Sequence, residues 1–418
     1  MSDRRIGLAQ GTALYVGAIL GAGVLALPSL AAQIAGPASV LAWLALVALC
    51  VPVAATFTAL GTRYPDGGGV ATFVKQAFGP QASAAVGWWF YFALPIGATA
   101  VAYVGGQYVA HAFGAGDDVA YLVAAVIVLI GLTTNAIGLH VSGGVQLLLI
   151  SVLALLMVVT VLAALPKADP GNLAPFLPNG WAAVGRAASV LFFTFAGWEA
   201  VTHLSGDFAD PKRDLPKVTA WTLVVVGVLY VGLALTCVLV LGPRLAASSV
   251  PITLLLEEGL GSGAAMLTGV LAFLLTTGVM NAYLAGGARL GAALARDGAL
   301  PLPLARGGAA GETPRRSLAV LGGVTVVVAT GALAAGMDLG NLMLAASACF
   351  MAVYVAGLAA GAKLLPTGSA VWIGSLVACA VMAVVLVFSG WFLLLPVALA
   401  LGSLAFRRYA KPKTPVAA

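Results

Sequence analysis

Residues 17–28 read Gly17-Ala-Ile-Leu-Gly21-Ala-Gly23-Val-Leu-Ala-Leu-Pro28. The stretch is apolar throughout, as a helix in lipid would be, yet it is a poor regular helix. Glycine lacks a Cβ, lowers helix stability and lets a ligand approach the backbone. Gly21 and Gly23 flank a point near the middle of the run, and Pro28 lacks the N–H that a helix interior uses. The stretch therefore predicts an apolar helix interrupted at mid-length.

The rest of the chain has the same solvent preference. Of 418 residues, 61% are hydrophobic and 8% charged, with 20 Lys plus Arg, 14 Asp plus Glu and 3 His. Soluble domains are about a quarter charged, so too few polar residues exist here to cover a water-facing surface. Mean hydropathy is +1.07. The chain reads as an integral membrane protein.

A membrane helix needs roughly 20 apolar residues. That ruler gives twelve spans, near 7–34, 38–61, 82–110, 119–138, 142–165, 182–205, 218–242, 263–290, 317–336, 339–361, 368–388 and 391–407. Strand alternation is absent, and the runs are too long for barrel strands. The expected fold is an all-α membrane protein with 12 transmembrane helices. Arg4 and Arg5 before an apolar run mimic a signal peptide, but the central Gly-Ala-Gly and the many later spans make it the first span.

Placing the N-terminus in the cytoplasm puts 17 of the 20 Lys and Arg on that side; only Lys167, Arg186 and Arg244 fall outside. The positive-inside rule then sets both termini as cytoplasmic. Loop cations set by topology do not form the single basic face that nucleic acid needs, so no nucleic-acid partner is expected. Cys50, Cys237, Cys349 and Cys379 lie in apolar runs and read as small buried hydrophobes rather than disulfides or ligands. No metal-ligand spacing, P-loop or nucleophile–His–Asp set appears, so no enzyme and no metal site is expected.

One acidic residue, Glu199, lies deep in a span. A charge at the bilayer centre costs of order 2.5–3.5 kcal/mol on insertion scales, so such a group normally faces a cavity or a partner. Gly197 sits just before it, which allows the sixth span to unwind near 195–199, as the first does near 21–23. Interrupted helices at matching places in two halves point to a transporter site. Residues 1–165 and 182–361 then form two five-span repeats, inverted because five is odd. Residues 366–408 add spans eleven and twelve, and 409–418 form a short cytoplasmic tail. The half-helix after Gly21-Ala22-Gly23 offers amides and a positive dipole end to a carboxylate. Carbonyls freed near Phe192, Phe193 and Ala196 suit an ammonium. The same glycines also fit close helix packing.

At these residues the chain resembles the amino acid–polyamine–organocation transporter superfamily. GAILGAGVLALPSLAAQIAGP (17–37) is similar to its first-helix signature. EAVTHLSGDFADPKRDLPK (199–217) is similar to its end-of-helix-six motif, and RLGAALARDGALP (289–301) followed by TPRR (313–316) to its loop after helix eight. The match covers nearly the whole chain. Within the superfamily, chain length and GWEAVTHLSGDF look most like bacterial inner-membrane exporters of methionine and branched-chain amino acids.

The resemblance implies a LeuT-type 5+5 inverted repeat plus two helices, alternating access and an amino acid substrate. It assigns Gly21, Ala22 and Gly23 to the substrate carboxylate and the Ile19 carbonyl to the amino group. Phe193 matches an aromatic lid, Glu199 a proton-sensing or gating glutamate, and Tyr283 an aromatic separating the site from the inner face. Ala22 stands where some relatives have Ser, and the fifth span lacks the lysine of some proton-coupled relatives.

The third span offers Leu94, Ile96 and Ala98 rather than polar groups. A buried ligand cation would need a charged partner. Leu94 and Ala98 thus suggest a neutral apolar substrate: Met, Leu, Ile or Val. Glu199 and His203 are four residues apart on the sixth helix and suit a proton relay. Thr276 and Thr277 offer hydroxyls to sodium, but such residues more often bond back to the preceding turn. The resemblance alone implies export; a proton gradient is expected to drive it, with neither sodium nor a cofactor. The partners are an amino acid and the bilayer, with the chain a monomer or homodimer. Import or exchange, and an amino acid sensor that does not transport, are the alternatives. The ten residues after Arg408 are few for a sensor's signalling tail.

Overall fold

A computed structural model of the chain describes residues 7–64, 69–138, 143–199, 208, 211–261, 263–308 and 312–409. Its helices in chain order are α1 (Leu8–Ile19), α2 (Leu27–Ala35), α3 (Ser39–Arg63), α4 (Val70–Phe78), α5 (Pro80–Ala112), α6 (Asp117–Ala136), α7 (Gly143–Ala164) and α8 (Gly180–Phe195). They continue as α9 (Pro211–Leu241), α10 (Pro243–Ala247), α11 (Pro251–Leu260), α12 (Ala264–Arg296), α13 (Arg315–Ala334), α14 (Leu339–Leu364), α15 (Ala370–Val387) and α16 (Leu394–Tyr409). No strand ladder occurs among the described residues.

Ten helical runs among the described residues are long and apolar enough to cross a membrane. The first and sixth of the twelve expected spans fall short as single helices: α1 has 12 residues and α8 has 16. Several boundaries also differ from the sequence reading. Helix α12 runs to Arg296 rather than 290, and α9 starts at Pro211 rather than 218. Hydropathy marks only the lipid-facing length, whereas the helical hydrogen-bond ladder continues into polar turns.

Helix α1 stops at Ile19. Leu20 (ψ 85°) and Gly21 (φ −93°, ψ 163°) are not helical, and Ala22–Leu25 form one 3₁₀ turn before α2. Pro28 lies in the first turn of α2, where the missing N–H has no helical partner to lose. It starts a helix rather than breaking one. Helix α8 stops at Phe195, Ala196 is extended, and Gly197 takes φ 135°. That backbone region disfavours any side chain. A methyl on Gly197 would also lie 2.5 Å from the Ala18 carbonyl oxygen. The two breaks therefore touch backbone to backbone.

The broken segments are packed by the helices around them. Trp43 of α3 lies against Phe195 and Tyr230, with centroids 5.8 and 5.4 Å away. Ser29 of α2 donates to the Leu245 carbonyl (2.7 Å). Helix α11 has Ile252, Thr253, Leu255 and Leu256 buried, and Thr253 and Thr268 share a 2.7 Å hydrogen bond. Trp181, Trp221 and Trp391 are exposed, while Trp88, Trp89 and Trp372 donate to backbone carbonyls.

Small residues set the closest crossings, as in membrane bundles generally. A methyl on Gly106 of α5 would lie 2.1 Å from the Ala120 carbonyl oxygen of α6. Gly106→Ala is expected to cost at least about 1–3 kcal/mol through overpacking, read as a lower unfolding midpoint in detergent. An unchanged midpoint contradicts the contact. Gly197→Ala adds backbone strain to a clash and is expected to abolish folded protein or activity; a fully active variant contradicts the described break.

Candidate functional site

The two breaks face one cavity of about 420 Å³. Ile19, Gly21, Ala22, Gly23, Phe193, Ala196 and Tyr283 all line it. Helices α7 and α12 complete the wall with Leu149, Ile150, Leu153, Leu275 and Val279. Seven of the nine residues expected to hold substrate thus come together.

The other two lie elsewhere. Leu94 lines a second cavity of about 900 Å³, which also holds Glu199 and shares Tyr283 with the first. Ala98 lines neither; it is buried in a cluster with Ala102, Ile127 and Met280. Gly97 of α5 packs against two rings that line the site. A methyl there would sit 3.2 Å from the Phe193 ring and 3.4 Å from the Tyr283 ring. One on Gly23 would sit 2.9 Å from Phe193. Phe193 is thus wedged between the first break and α5, beside Tyr283.

The freed backbone groups have distinct fates. No described residue accepts from the amides of Ala22 and Gly23, as at the start of any helical turn. They remain available to an anion. The Ile19 carbonyl, expected to hold an amino group, already accepts from the Gly21 N–H (2.8 Å) and the Tyr230 hydroxyl (2.9 Å). The Phe192 carbonyl accepts from the Ala196 N–H (3.1 Å). Tyr230 of α9 is also 2.8 Å from the Thr194 hydroxyl and 3.2 Å from the Thr194 carbonyl, so one phenol ties together the ends of α1 and α8.

Glu199 is held by a second tyrosine. The Tyr354 hydroxyl of α14 accepts from the N–H groups of Gly197 (3.0 Å) and Trp198 (2.9 Å) and donates to Glu199 Oε2. All three hydrogen-bonding positions of a phenol are then filled. Gly197 N–H also donates to Glu199 Oε2 (2.9 Å). Trp198 donates from its ring to Cys50 Sγ (3.1 Å). His203, the expected relay partner, lies outside the described residues. Thr276 and Thr277 donate to the carbonyls of Ala272 and Phe273 (2.7 Å each), one turn back in α12.

The central cavity reaches Gln146 and Arg289, toward the end of the bundle where α1 begins. A third cavity of about 580 Å³ lies toward the other end, lined by Gln33, Gln107, Asp338 and Asn341. It shares no lining residue with the central one. Val24, Leu25 and Leu27 lie between them, fully buried. Tyr108 closes this side, donating to the Leu25 carbonyl (2.7 Å) and accepting from the Ile252 N–H (3.3 Å).

Sequence reasoning missed Tyr230, Tyr354, Thr194, Gln146, Asn281 and Arg289. A signal existed for the two tyrosines: each interrupts an apolar run, and a buried phenol needs a partner.

Residues 6–403 match the amino acid permease family. The amino acid permease YecA of Bacillus subtilis, described as uncharacterized, is 34% identical over 401 residues, covering 95% of this chain and 94% of that one. The L-methionine/branched-chain amino acid exporter YjeH of Escherichia coli is 30% identical over 375 residues, covering 87% and 86%. The branched-chain amino acid permease BcaP of Bacillus subtilis is 27% identical over 324 residues, covering 72% and 69%. The broken helices meeting over one cavity, and a family match spanning nearly the whole chain, place this protein in the amino acid permease family of the amino acid–polyamine–organocation transporter superfamily.

Proposed function

We propose that this protein exports neutral, apolar amino acids (methionine, leucine, isoleucine, valine) from the cytoplasm by proton-coupled alternating access. On this reading α1 with α2, and α8 with the segment after it, complete twelve spans. Residues 1–165 and 182–361 are the inverted repeats, residues 366–408 the two added spans, and both termini are cytoplasmic in a bacterial inner membrane.

The observation that carries the reading is the pair of unpartnered amides, Ala22 and Gly23, over a cavity walled by Leu149, Ile150, Leu153, Leu275 and Val279. The amides suit a carboxylate and the wall suits an apolar side chain. A volume of about 420 Å³ falls in the range of small-molecule sites. Among the described residues no carboxylate lines this cavity to pair with a cationic side chain. Access from the end where α1 begins suits loading from the cytoplasm, the side the basic loops mark. The exporter YjeH, similar over most of both chains, supports the same direction and substrates.

Glu199 is placed to couple this site to protons. Its carboxylate holds the Gly197 amide and, through Tyr354, the Trp198 amide. Protonation removes the charge that those bonds favour and loosens the segment that faces α1.

Counterflow in proteoliposomes with labelled methionine, leucine and arginine, with and without a proton gradient, tests the function. Methionine and leucine exchange, with a flux that responds to the gradient, is expected; arginine flux without methionine flux contradicts the substrate assignment. Glu199→Gln is expected to exchange leucine with a flat pH profile, and a wild-type profile contradicts the coupling role. Tyr354→Phe leaves the Trp198 amide without its acceptor, at a cost of about 1–3 kcal/mol. It is expected to slow transport and lower the unfolding midpoint, and full wild-type values for both contradict its role.

A further inference from the structure

One face of α12 forms a passage between two of the cavities. Ala282, Gly286 and Arg289 follow each other at helical spacing and, with Tyr283, line both the central cavity and the 900 Å³ chamber. Ala282 and Gly286 leave this face open, for a methyl on Gly286 would meet nothing within 4 Å. Arg289 is exposed and is the only charged residue among those lining the central cavity in the described structure. At 1.5 Å rise per residue it sits about 10 Å along the helix from Ala282. That makes it a separate station rather than part of the broken-helix site.

The chamber beneath carries an excess of positive charge among its described residues. Lys75, Arg296 and Arg407 line it with Arg289, against Glu199 and Asp297. Arg296 donates to the Gly308 carbonyl (2.7 Å) and Arg407 to the Pro80 carbonyl, both neutral acceptors. Among the described residues the ion pair present is Arg244–Glu258, which involves none of the chamber's residues. Topology explains why cations lie at this end of the bundle. It does not require three helices to aim them into one recess. Charges of one sign in a recess with apolar walls focus their field and raise the local concentration of the opposite charge.

We propose that Arg289 is an entry subsite for the α-carboxylate of the substrate. The chamber draws the zwitterion in by its carboxylate, and the Arg289 guanidinium, whose fork matches a carboxylate in two parallel hydrogen bonds, holds it. The open face of α12 then leads past Tyr283 to the Ala22 and Gly23 amides. The inference rests on the transporter reading and names the first group that reading's substrate meets.

The test measures leucine transport loaded from this face in proteoliposomes, for wild type, Arg289→Gln and Arg289→Lys, at low and high salt. Loss of one charge-assisted contact is expected to raise KM about tenfold in Arg289→Gln with kcat unchanged. Arg289→Lys, which keeps the charge, is expected to fall between the two. High salt is expected to raise the wild-type KM, and to raise that of Arg289→Gln by less, because Lys75, Arg296 and Arg407 still line the chamber. An unchanged KM in Arg289→Gln, or a fall in kcat alone, overturns the proposal. If Arg289→Gln does not fold, a wild-type KM indifferent to salt overturns it instead. A wild type that moves no neutral amino acid at all refutes the transporter reading itself, and the entry subsite with it.

Discussion

A helix that stops inside an apolar bundle exposes amides and carbonyls that lipid cannot satisfy. Two helices stop in this way here, at Ile19 and Phe195, and the breaks touch where Gly197 meets the Ala18 carbonyl. Most of the groups set free are satisfied locally. Tyr230 closes the carbonyl ends of α1 and α8, and Tyr354 closes the amides that follow Gly197. Among the groups that remain are the amides of Ala22 and Gly23 at the edge of a cavity. The site is therefore the unsatisfied remainder of a backbone constraint rather than a set of polar side chains.

That origin shapes the chemistry. A site made from backbone amides fits the part common to all amino acids and leaves selection to the wall. The wall supplied by α7 and α12 is aliphatic at Leu149, Ile150, Leu153, Leu275 and Val279 and polar at Gln146, Asn281 and Arg289. Glu199 lines the adjoining chamber rather than the central cavity, and it holds the unwound backbone both directly, at the Gly197 amide, and through Tyr354. The Glu199 carboxylate and the amides of the first break thus face separate cavities, which share Tyr283, Arg289 and one face of α12. The third cavity, beyond Val24 and Leu25, is closed off from both.

Much of this was legible in the sequence because backbone irregularity is written in glycine and proline. Gly21, Gly23 and Gly197 marked the breaks to within a few residues, and hydropathy marked the long helices. Pro28 was legible as an irregularity but not as a helix start, because proline suits the first turn as well as it disrupts an interior. Residues supplied by neighbouring helices were not legible. Tyr230 and Tyr354 lie far along the chain from the groups they cap, and only the packing of α9 and α14 brings them there. Ala98 was expected at the site but lines neither cavity, because span-level reading does not set the rotation of a helix, and one residue turns a side chain by about 100°.

The central claim is that substrate sits against the first break and reaches it from the end where α1 begins. Gly21 faces open space there: a methyl on its Cα would have only the Ile19 carbonyl oxygen within 4 Å. The most direct measurement is the rate at which a small thiol reagent labels Gly21→Cys, with Cys50, Cys237, Cys349 and Cys379 replaced by alanine. The account predicts labelling from that end, slowed by leucine or methionine and unaffected by arginine. Labelling that proceeds at the same rate with saturating leucine, in protein that exchanges leucine, would contradict it.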